Sequence, residues 1–284
     1  MKYSVVIPCY NSAQYLGDQL DGLAKQRLAE PWEVIVVDNG SNDDPGSVVR
    51  AFQSKVPNLR MIDASGGRGV SYARNRGAEA ATGEFLLFCD ADDVVAPGWL
   101  EAMARAFAHY DLLTGVAEYD KLNVNPGVRQ EPRTSARVWD FLPLMPHAIG
   151  CNMGIRKSLH EAIGGCDETL FAMDDVDYSW RAQLAGAELH FVADAVVHYR
   201  VRNSLWVAFK QFMRYGEYAV LLYKKFLDQG IAKKTWKDGA RNWWRLLRQI
   251  PQLLRRRTRA RWVRQFGMAV GRLKGSIKYR VVAL

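Results

Sequence analysis

The chain has 284 residues, 49% of them apolar, which is enough to bury a sizeable core in one large α/β domain with an appendage and makes disorder not the default reading. Its net charge of +9 conceals a division: residues 200–284 carry 22 Lys and Arg against three acids, whereas residues 1–199 carry 17 against 27. An acidic-to-neutral body followed by a basic tail points to an anionic partner for the tail.

No run of about 18 consecutive apolar residues occurs, so no spanning helix is expected, although one lying on a membrane remains open. The apolar run after Met1 is too short for a signal-peptide core and no small-residue cleavage site follows, so secretion is not implied. Cys9, Cys89, Cys151 and Cys166 stand singly, without CxxC pairs, and read as reduced, mostly buried thiols of a cytoplasmic protein.

In chain order, Tyr3 to Ile7, Val34 to Asp38, Leu59 to Ala64 and Glu84 to Asp90 are dense in Val, Ile, Leu and Phe, as strands buried on both faces are. Between them Ala13 to Arg27, Pro45 to Lys55 and Arg68 to Ala81 keep a helical period, the first preceded by Asn11 and Ser12 as capping residues. Strand and helix in alternation predict an α/β fold with a doubly wound, mainly parallel sheet flanked by helices. In such sheets ligands bind beyond the carboxyl ends of the strands. Polar residues stand at three of those ends: Pro8-Cys9-Tyr10-Asn11, Asp38-Asn39-Gly40-Ser41 and Asp90-Ala91-Asp92-Asp93.

The segment from Asp120 to Pro146 has little periodicity and predicts a long loop over that crevice. Leu189 to Tyr199 reads as a last strand of the body. From Ser204 the pattern turns helical, with Leu205, Phe209, Phe212, Gly216, Ala219, Tyr223 and Phe226 on one face and Gly230 as a stop; two more helices follow, broken near Pro251. The expected organisation is a catalytic domain over 1–203, with a nucleotide-binding half (1–119) and an acceptor-binding half (120–203), and a basic amphipathic helical tail over 204–284.

The sharpest motif is Asp90-Ala91-Asp92-Asp93. Carboxylates at i and i+2 after a strand can converge on one hard divalent cation and leave positions for water and phosphate oxygens. The alternative is a polar strand end with Asp93 capping the next helix. Asp38 occupies the place of the acid that takes hydroxyls at a second strand tip in nucleotide-binding sheets; a turn-forming Asp is the other reading. No GxGxxG or GxxxxGK[ST] is present, against dinucleotide redox and P-loop chemistry. Arg74, on a helix made slim by Ala73, Gly77 and Ala81, is placed to reach a phosphate or base, or is a solvated helix-face charge. Asp174, Asp175 and Asp177 crowd one helix start; their mutual repulsion raises at least one pKa, which suits a general base, while carboxylates also favour the positive end of a helix dipole. His198 is either a neutral imidazole completing a metal shell or a structural histidine at a strand end.

These residues, in this order, resemble the family 2 glycosyltransferases of GT-A fold over roughly residues 3 to 200. The resemblance runs from Val5-Val6-Ile7-Pro8-Cys9-Tyr10-Asn11 through Val37-Asp38-Asn39-Gly40-Ser41, Ala73-Arg74-Asn75-Arg76-Gly77 and the Asp90 cluster to Gly164-Gly165-Cys166-Asp167-Glu168, Asp174-Asp175 and His198. It implies a nucleotide-sugar pocket lined by Pro8, Tyr10, Asn11, Asp38, Arg74, Asp90 and Ala91. It also implies Mg²⁺ or Mn²⁺ on Asp92 with His198, a catalytic base at Asp175 beside Asp174, and an acceptor side at Asp167, Glu168, Trp180 and Arg181. The chain departs from the pattern in having Asp at 174, where Glu is common, and Cys at 166, where Phe is common. The implied reaction is an inverting transfer from a UDP-, GDP- or dTDP-sugar to a hydroxyl of a glycan or lipid-linked acceptor, as in cell-envelope polysaccharide synthesis.

The tail sets Trp206, Trp236, Trp243, Trp244 and Trp262 among Lys and Arg, a composition suited to the cytoplasmic face of an anionic membrane. The other reading packs its aromatics on the body or on a second subunit, as in a homo-oligomer. A nucleic-acid binder is not expected, because it leaves Asp38, the Asp90 cluster and the acidic helix start idle. A sugar-nucleotide-forming nucleotidyltransferase is the nearer rival, but such enzymes usually carry a glycine-rich basic loop where Pro8-Cys9-Tyr10-Asn11 stands.

Overall fold

The computed structural model describes residues 1–123, 141–201 and 204–283, and these fall into two compact units. The first holds residues 1–122 and 146–200, the second residue 123, residues 141–145, residue 201 and residues 204–283. Residues 124–140, the greater part of the loop expected over the crevice, lie outside the described residues.

The first unit is one eight-stranded sheet in the order β3-β2-β1-β4-β7-β6-β8-β5. Its first half follows the predicted alternation: β1 (Tyr3–Cys9), α1 (Ala13–Ala24), β2 (Trp32–Asp38), α2 (Pro45–Phe52), β3 (Leu59–Asp63), α3 (Val70–Ala80) and β4 (Phe85–Cys89), all four strands parallel. Alternate residues of these strands feed two cores. Val5, Ile7, Val34 and Val36 join the cluster beneath α1, and Val6, Ile35 and Val37 join the one beneath α3. Burial on both faces explains the unbroken apolar runs, each fully buried Val or Ile contributing about 1.5–3 kcal/mol. Gly77 lets α3 lie directly on the sheet, since a Cβ there would stand 2.3 Å from Val6 Cγ1.

The second half is mixed rather than parallel. After β5 (Val94–Val95), α4 (Trp99–Ala106) and β6 (Leu112–Glu118), the chain returns in β7 (Asn152–Arg156), antiparallel to both β4 and β6. Next come α5 (Lys157–Ala162), α6 (Asp174–Leu184) and β8 (Leu189–His198), which runs parallel to β6 and antiparallel to β5. The β6–β8 register shifts between Thr114 and Val116. The buried Asn152 amide fills that irregularity, donating to the Val116 and Ala195 carbonyls at 2.9 and 2.8 Å and accepting the Trp99 indole N–H at 2.8 Å. All four cysteines are buried and none is joined in a disulfide, and burial pushes the Cys9 and Cys166 thiols up to about 12.

The second unit is helical: α7 (Leu205–Lys225), α8 (Trp236–Arg248) and α9 (Arg256–Tyr279), with short 3-10 turns at Leu227–Gln229 and Ile250–Leu254. Gly230 follows the first turn with a positive φ, where a side chain is strained. Helices α7 and α9 approach backbone to backbone, because a Cβ on Gly271 would lie 2.0 Å from the Met213 carbonyl and one on Gly216 would lie 2.2 Å from that of Met268. The buried Glu217 carboxylate on α7 is gripped by Lys274 and Lys278 of α9 at 2.7 Å each. Among the described residues no helix is long and apolar enough to cross a membrane.

Candidate active site

Parallel neighbours end together, so β2, β1 and β4 bring their carboxyl ends side by side in that order. The first two ends are stitched by backbone and amide groups. The Asn39 N–H donates to the Cys9 carbonyl at 2.8 Å, the Asn11 N–H to Ser41 Oγ at 3.0 Å, and the Asn42 N–H to Asn11 Oδ1 at 2.7 Å. Asp38 Oδ1 accepts the Ser41 N–H at 3.0 Å, Pro8 is half-buried, and Tyr10 is exposed on the same edge. Helix α1 is capped by a different residue from the one the sequence suggests. The Ala13 N–H donates to Asp43 Oδ2 at 2.8 Å, while Ser12 Oγ turns back to the Tyr10 carbonyl. A carboxylate thirty residues away outcompetes the adjacent hydroxyl because the β2 loop folds over the helix start.

Asn39, to which the sequence pattern gives no separate role, ties this edge to α3. Its Nδ2 donates to the carbonyls of Ala64 and Gly67 at 2.7 and 2.9 Å, and its Oδ1 accepts the Gly69 N–H at 2.9 Å, at the first turn of the helix that carries Arg74.

At the end of β4, Asp90, Asp92 and Asp93 bring carboxylate oxygens within 4.8 Å of one another. Asp93 does not cap the following helix. It is 1% exposed, its Oδ1 accepts the Arg200 backbone N–H at 2.8 Å, and its Oδ2 is buried without a hydrogen-bond partner. Burial, reinforced by Asp90 and Asp92, pushes its carboxyl well above the usual carboxylate range. An all-oxygen donor set with an orphaned buried oxygen fits a hard divalent cation of the Mg²⁺ or Mn²⁺ kind. His198, paired with Val94 across β5–β8, lies outside this group: its Nδ1 is 2.7 Å from Glu118 Oε2 and its Nε2 3.2 Å from Lys121 Nζ. Ala91 is buried between the aspartates.

Two side chains unmarked by the sequence hold this turn in shape. Gln19, fully buried on α1, donates to the Asp90 carbonyl at 2.9 Å and accepts the Val95 N–H at 2.9 Å. Arg200 donates from Nε to the Asp92 carbonyl at 2.9 Å and from Nη2 to Asp18 at 2.9 Å, with its guanidinium 4.6 Å from the centre of the Tyr15 ring. Their partners are main-chain groups and distant residues, which no local motif reveals.

Helix α6 opens after Met173, which holds a left-handed φ of +61°. Of its three acids only Asp174 meets Arg74, whose Nη1 lies 2.5 Å from Asp174 Oδ2; Arg74 Nη2 donates to the Gly150 carbonyl at 2.8 Å and reaches Asp90 Oδ1 at 3.4 Å. Arg74 is therefore a buried fork between the two halves of the site and not a solvated charge. Burial pushes the Asp174 carboxyl up to about 6 against the pull of Arg74, with Asp175 adding to the rise, while the carboxylates around Arg74 hold it protonated above its ordinary range. The guanidinium is shared among three acceptors, so it offsets only part of the desolvation of any one.

Asp175 is half-buried and oriented by two N–H groups, Gly150 to Oδ2 at 3.1 Å and Val176 to Oδ1 at 2.9 Å. Gly150 thus donates to Asp175 and accepts from Arg74. Asp177 is fully buried and paired with Arg181 Nε at 2.7 Å, a structural role. Arg181 Nη1 and Nη2 also donate to the Ile163 and Gly165 carbonyls, and Trp180 is 1% exposed. On the expected acceptor side, Glu168 accepts from Asn75 Nδ2 at 2.8 Å and Asp167 Oδ1 accepts from Thr169, both within one loop pinned by Asn75.

The family model described as Glycosyl transferase family 2 matches residues 4–164, and that of Glycosyl transferase family group 2 matches residues 85–271. Among curated proteins, Glycosyltransferase AglE of Haloferax volcanii is 29% identical over 74% of this chain and 70% of its own length. The pre-mycofactocin glycosyltransferase of Mycobacterium tuberculosis is 31% identical over 80% of this chain, which spans 48% of that relative. Among solved structures, the mannosyltransferase PcManGT of Pyrobaculum calidifontis in complex with GDP-Man and Mn²⁺ superposes with a TM-score of 0.62 at 21% identity, covering 98% of this chain and 75% of its own. That likeness shows the fold, a mixed α/β sheet of GT-A type.

Proposed function

The chain belongs to glycosyl transferase family 2, and we propose that it moves a sugar from a nucleoside-diphosphate donor to an acceptor hydroxyl by an inverting displacement. The observation that carries this reading is the pairing of two carboxylate sets across Arg74: the Asp90, Asp92 and Asp93 oxygens on one side and Asp174 and Asp175 on the other. A transferring glycosyl group needs its leaving diphosphate neutralised and its incoming alcohol deprotonated, and one set suits each demand.

In this proposal Asp175 takes the acceptor proton, its carboxylate aimed by the Gly150 and Val176 N–H groups. Asp174 and Arg74 fix the loop at Gly150 that does the aiming. Pro8, Tyr10, Asn11 and Asp38 line the nucleotide side, and Asp90, Asp92 and Asp93 hold Mg²⁺ or Mn²⁺, which when bound compensates the charge of the departing diphosphate. The acceptor is a glycan or a lipid-linked saccharide of the cell-envelope kind, met where the basic tail holds the chain against an anionic membrane surface on its cytoplasmic side. The catalytic part is residues 1–203.

The test is a thermal-shift panel of UDP, GDP and dTDP with and without Mn²⁺. One nucleoside diphosphate stabilises the protein only with the cation present; a ligand at a hundred times its Kd is worth about 2.7 kcal/mol. No stabilisation by any of the three with Mn²⁺ contradicts the reading.

A further inference from the structure

Helix α8 carries more apolar surface than its packing uses. Its inner side is held by α9: Leu246 is buried, its carbonyl accepts the Trp262 indole N–H at 3.1 Å, and the Trp243 ring meets Phe266 edge-on at 6.2 Å. Trp236, Trp244 and Leu247 nevertheless stand 66%, 57% and 60% exposed. Residues at i, i+8 and i+11 share one helical face, so these three form a single stripe. The 3-10 turn beyond extends the exposed apolar surface with Ile250 and Leu254.

Charge borders this stripe on one side. Lys237, Arg241, Arg245 and Arg248 occupy the adjoining face, and the Arg248 guanidinium lies 4.5 Å from the Trp244 ring centre. Residues 236–264 carry ten Lys and Arg against one acid, Asp238, and that acid is spent at the helix start, where Oδ2 accepts from Thr235 N–H and Oγ1 at 2.9 and 2.7 Å.

We propose that α8 lies in the plane of an anionic bilayer, with Trp236, Trp244 and Leu247 in the headgroup–acyl boundary and Lys237, Arg241, Arg245 and Arg248 on lipid phosphates. This rests on the reading of the tail as membrane-facing and narrows it to one element. Indole rings beside guanidinium groups match a surface that is apolar below and anionic above. A nucleic acid satisfies the charges but leaves the aliphatic Leu247 and Leu254 in water. A second copy of the chain brings its own +9 to a strongly basic face.

The experiment is flotation of the full chain with vesicles of phosphatidylcholine alone and of phosphatidylcholine mixed with phosphatidylglycerol, without donor or acceptor. Its outcome therefore stands apart from sugar transfer. The parent protein floats with the anionic vesicles only. The Trp236→Ser, Trp244→Ser, Leu247→Ser variant binds them at least about tenfold more weakly. An Arg241→Gln, Arg245→Gln, Arg248→Gln variant loses on the order of a hundredfold, each basic residue being worth roughly fivefold. All the changed side chains are exposed, and both variants keep the helical circular dichroism and urea midpoint of the parent as the check on folding. Equal flotation of parent and Trp variant, equal binding to neutral vesicles, or a Trp variant that loses self-association or oligonucleotide binding but keeps vesicle binding overturns the proposal.

Discussion

The Arg74 guanidinium meets the Asp174 carboxylate at 2.5 Å across a hundred residues of chain, and the same guanidinium holds the carbonyl of Gly150, the residue whose own N–H aims Asp175. A planar fork is needed to serve three acceptors at once, and a lysine ammonium cannot reproduce it. Arg74→Lys therefore costs about 1–3 kcal/mol of stability by leaving buried acceptors poorly matched. It also lowers kcat/KM by on the order of a hundredfold through misplacement of Asp175. Urea unfolding and steady-state kinetics on the same variant check both; unchanged kinetics with lost stability would reduce Arg74 to a structural ion pair.

Arg200 makes a second prediction. Its side chain grips the Asp92 carbonyl and Asp18, while its backbone N–H, which substitution retains, binds Asp93. Arg200→Gln is expected to weaken Mn²⁺ binding by roughly 10–100-fold, the cost typical of removing a residue that orients metal ligands. Calorimetric titration of Mn²⁺ reads this directly, and a variant with the parent affinity contradicts the clamp.

The buried His160 ring, 2.6 Å from the Tyr178 hydroxyl, is pulled down to about 4 by burial, with Arg181 and Lys157 adding to the fall. Between pH about 6.5 and 4 the unfolded chain takes up a proton that the native protein refuses, so stability falls with pH across that window and levels off below it. The loss amounts to a few kcal/mol. In His160→Asn this slope disappears, so the difference in unfolding free energy between parent and variant changes with pH only between about 4 and 6.5. A pH-independent difference contradicts a neutral buried imidazole.

Strands β1 to β4 and the helices between them are legible in the sequence because burial on both faces leaves uninterrupted Val and Ile runs. Strands β6 and β7 are not: Thr114 and Gly115 interrupt the one, and polar Asn152 opens the other for a role that depends on three partners from distant segments. The antiparallel return of β7 accordingly escapes a pattern that predicts parallel pairing. In the site, residue types that carry their own chemistry, Asp38, the Asp90 cluster and Asp174-Asp175, declare themselves. Gln19, Asn39, Gly150 and Arg200 act chiefly through main-chain groups brought near by folding, and Asp43 replaces Ser12 at α1 for the same reason. Trp180 follows a charged helix start yet is buried, because α6 presents that face to the core.

In the proposed reaction Asp175 removes the acceptor proton while the Asp90, Asp92 and Asp93 group serves the donor. Asp175→Asn keeps the side-chain volume and one acceptor oxygen but cannot take the proton. Rapid-quench turnover with the nucleotide sugar that the Mn²⁺ panel identifies, alongside donor affinity by titration, tests it most directly. Transfer is expected to fall by at least about 10²–10⁴-fold with donor Kd within about threefold of the parent. Near-normal turnover in Asp175→Asn would contradict it.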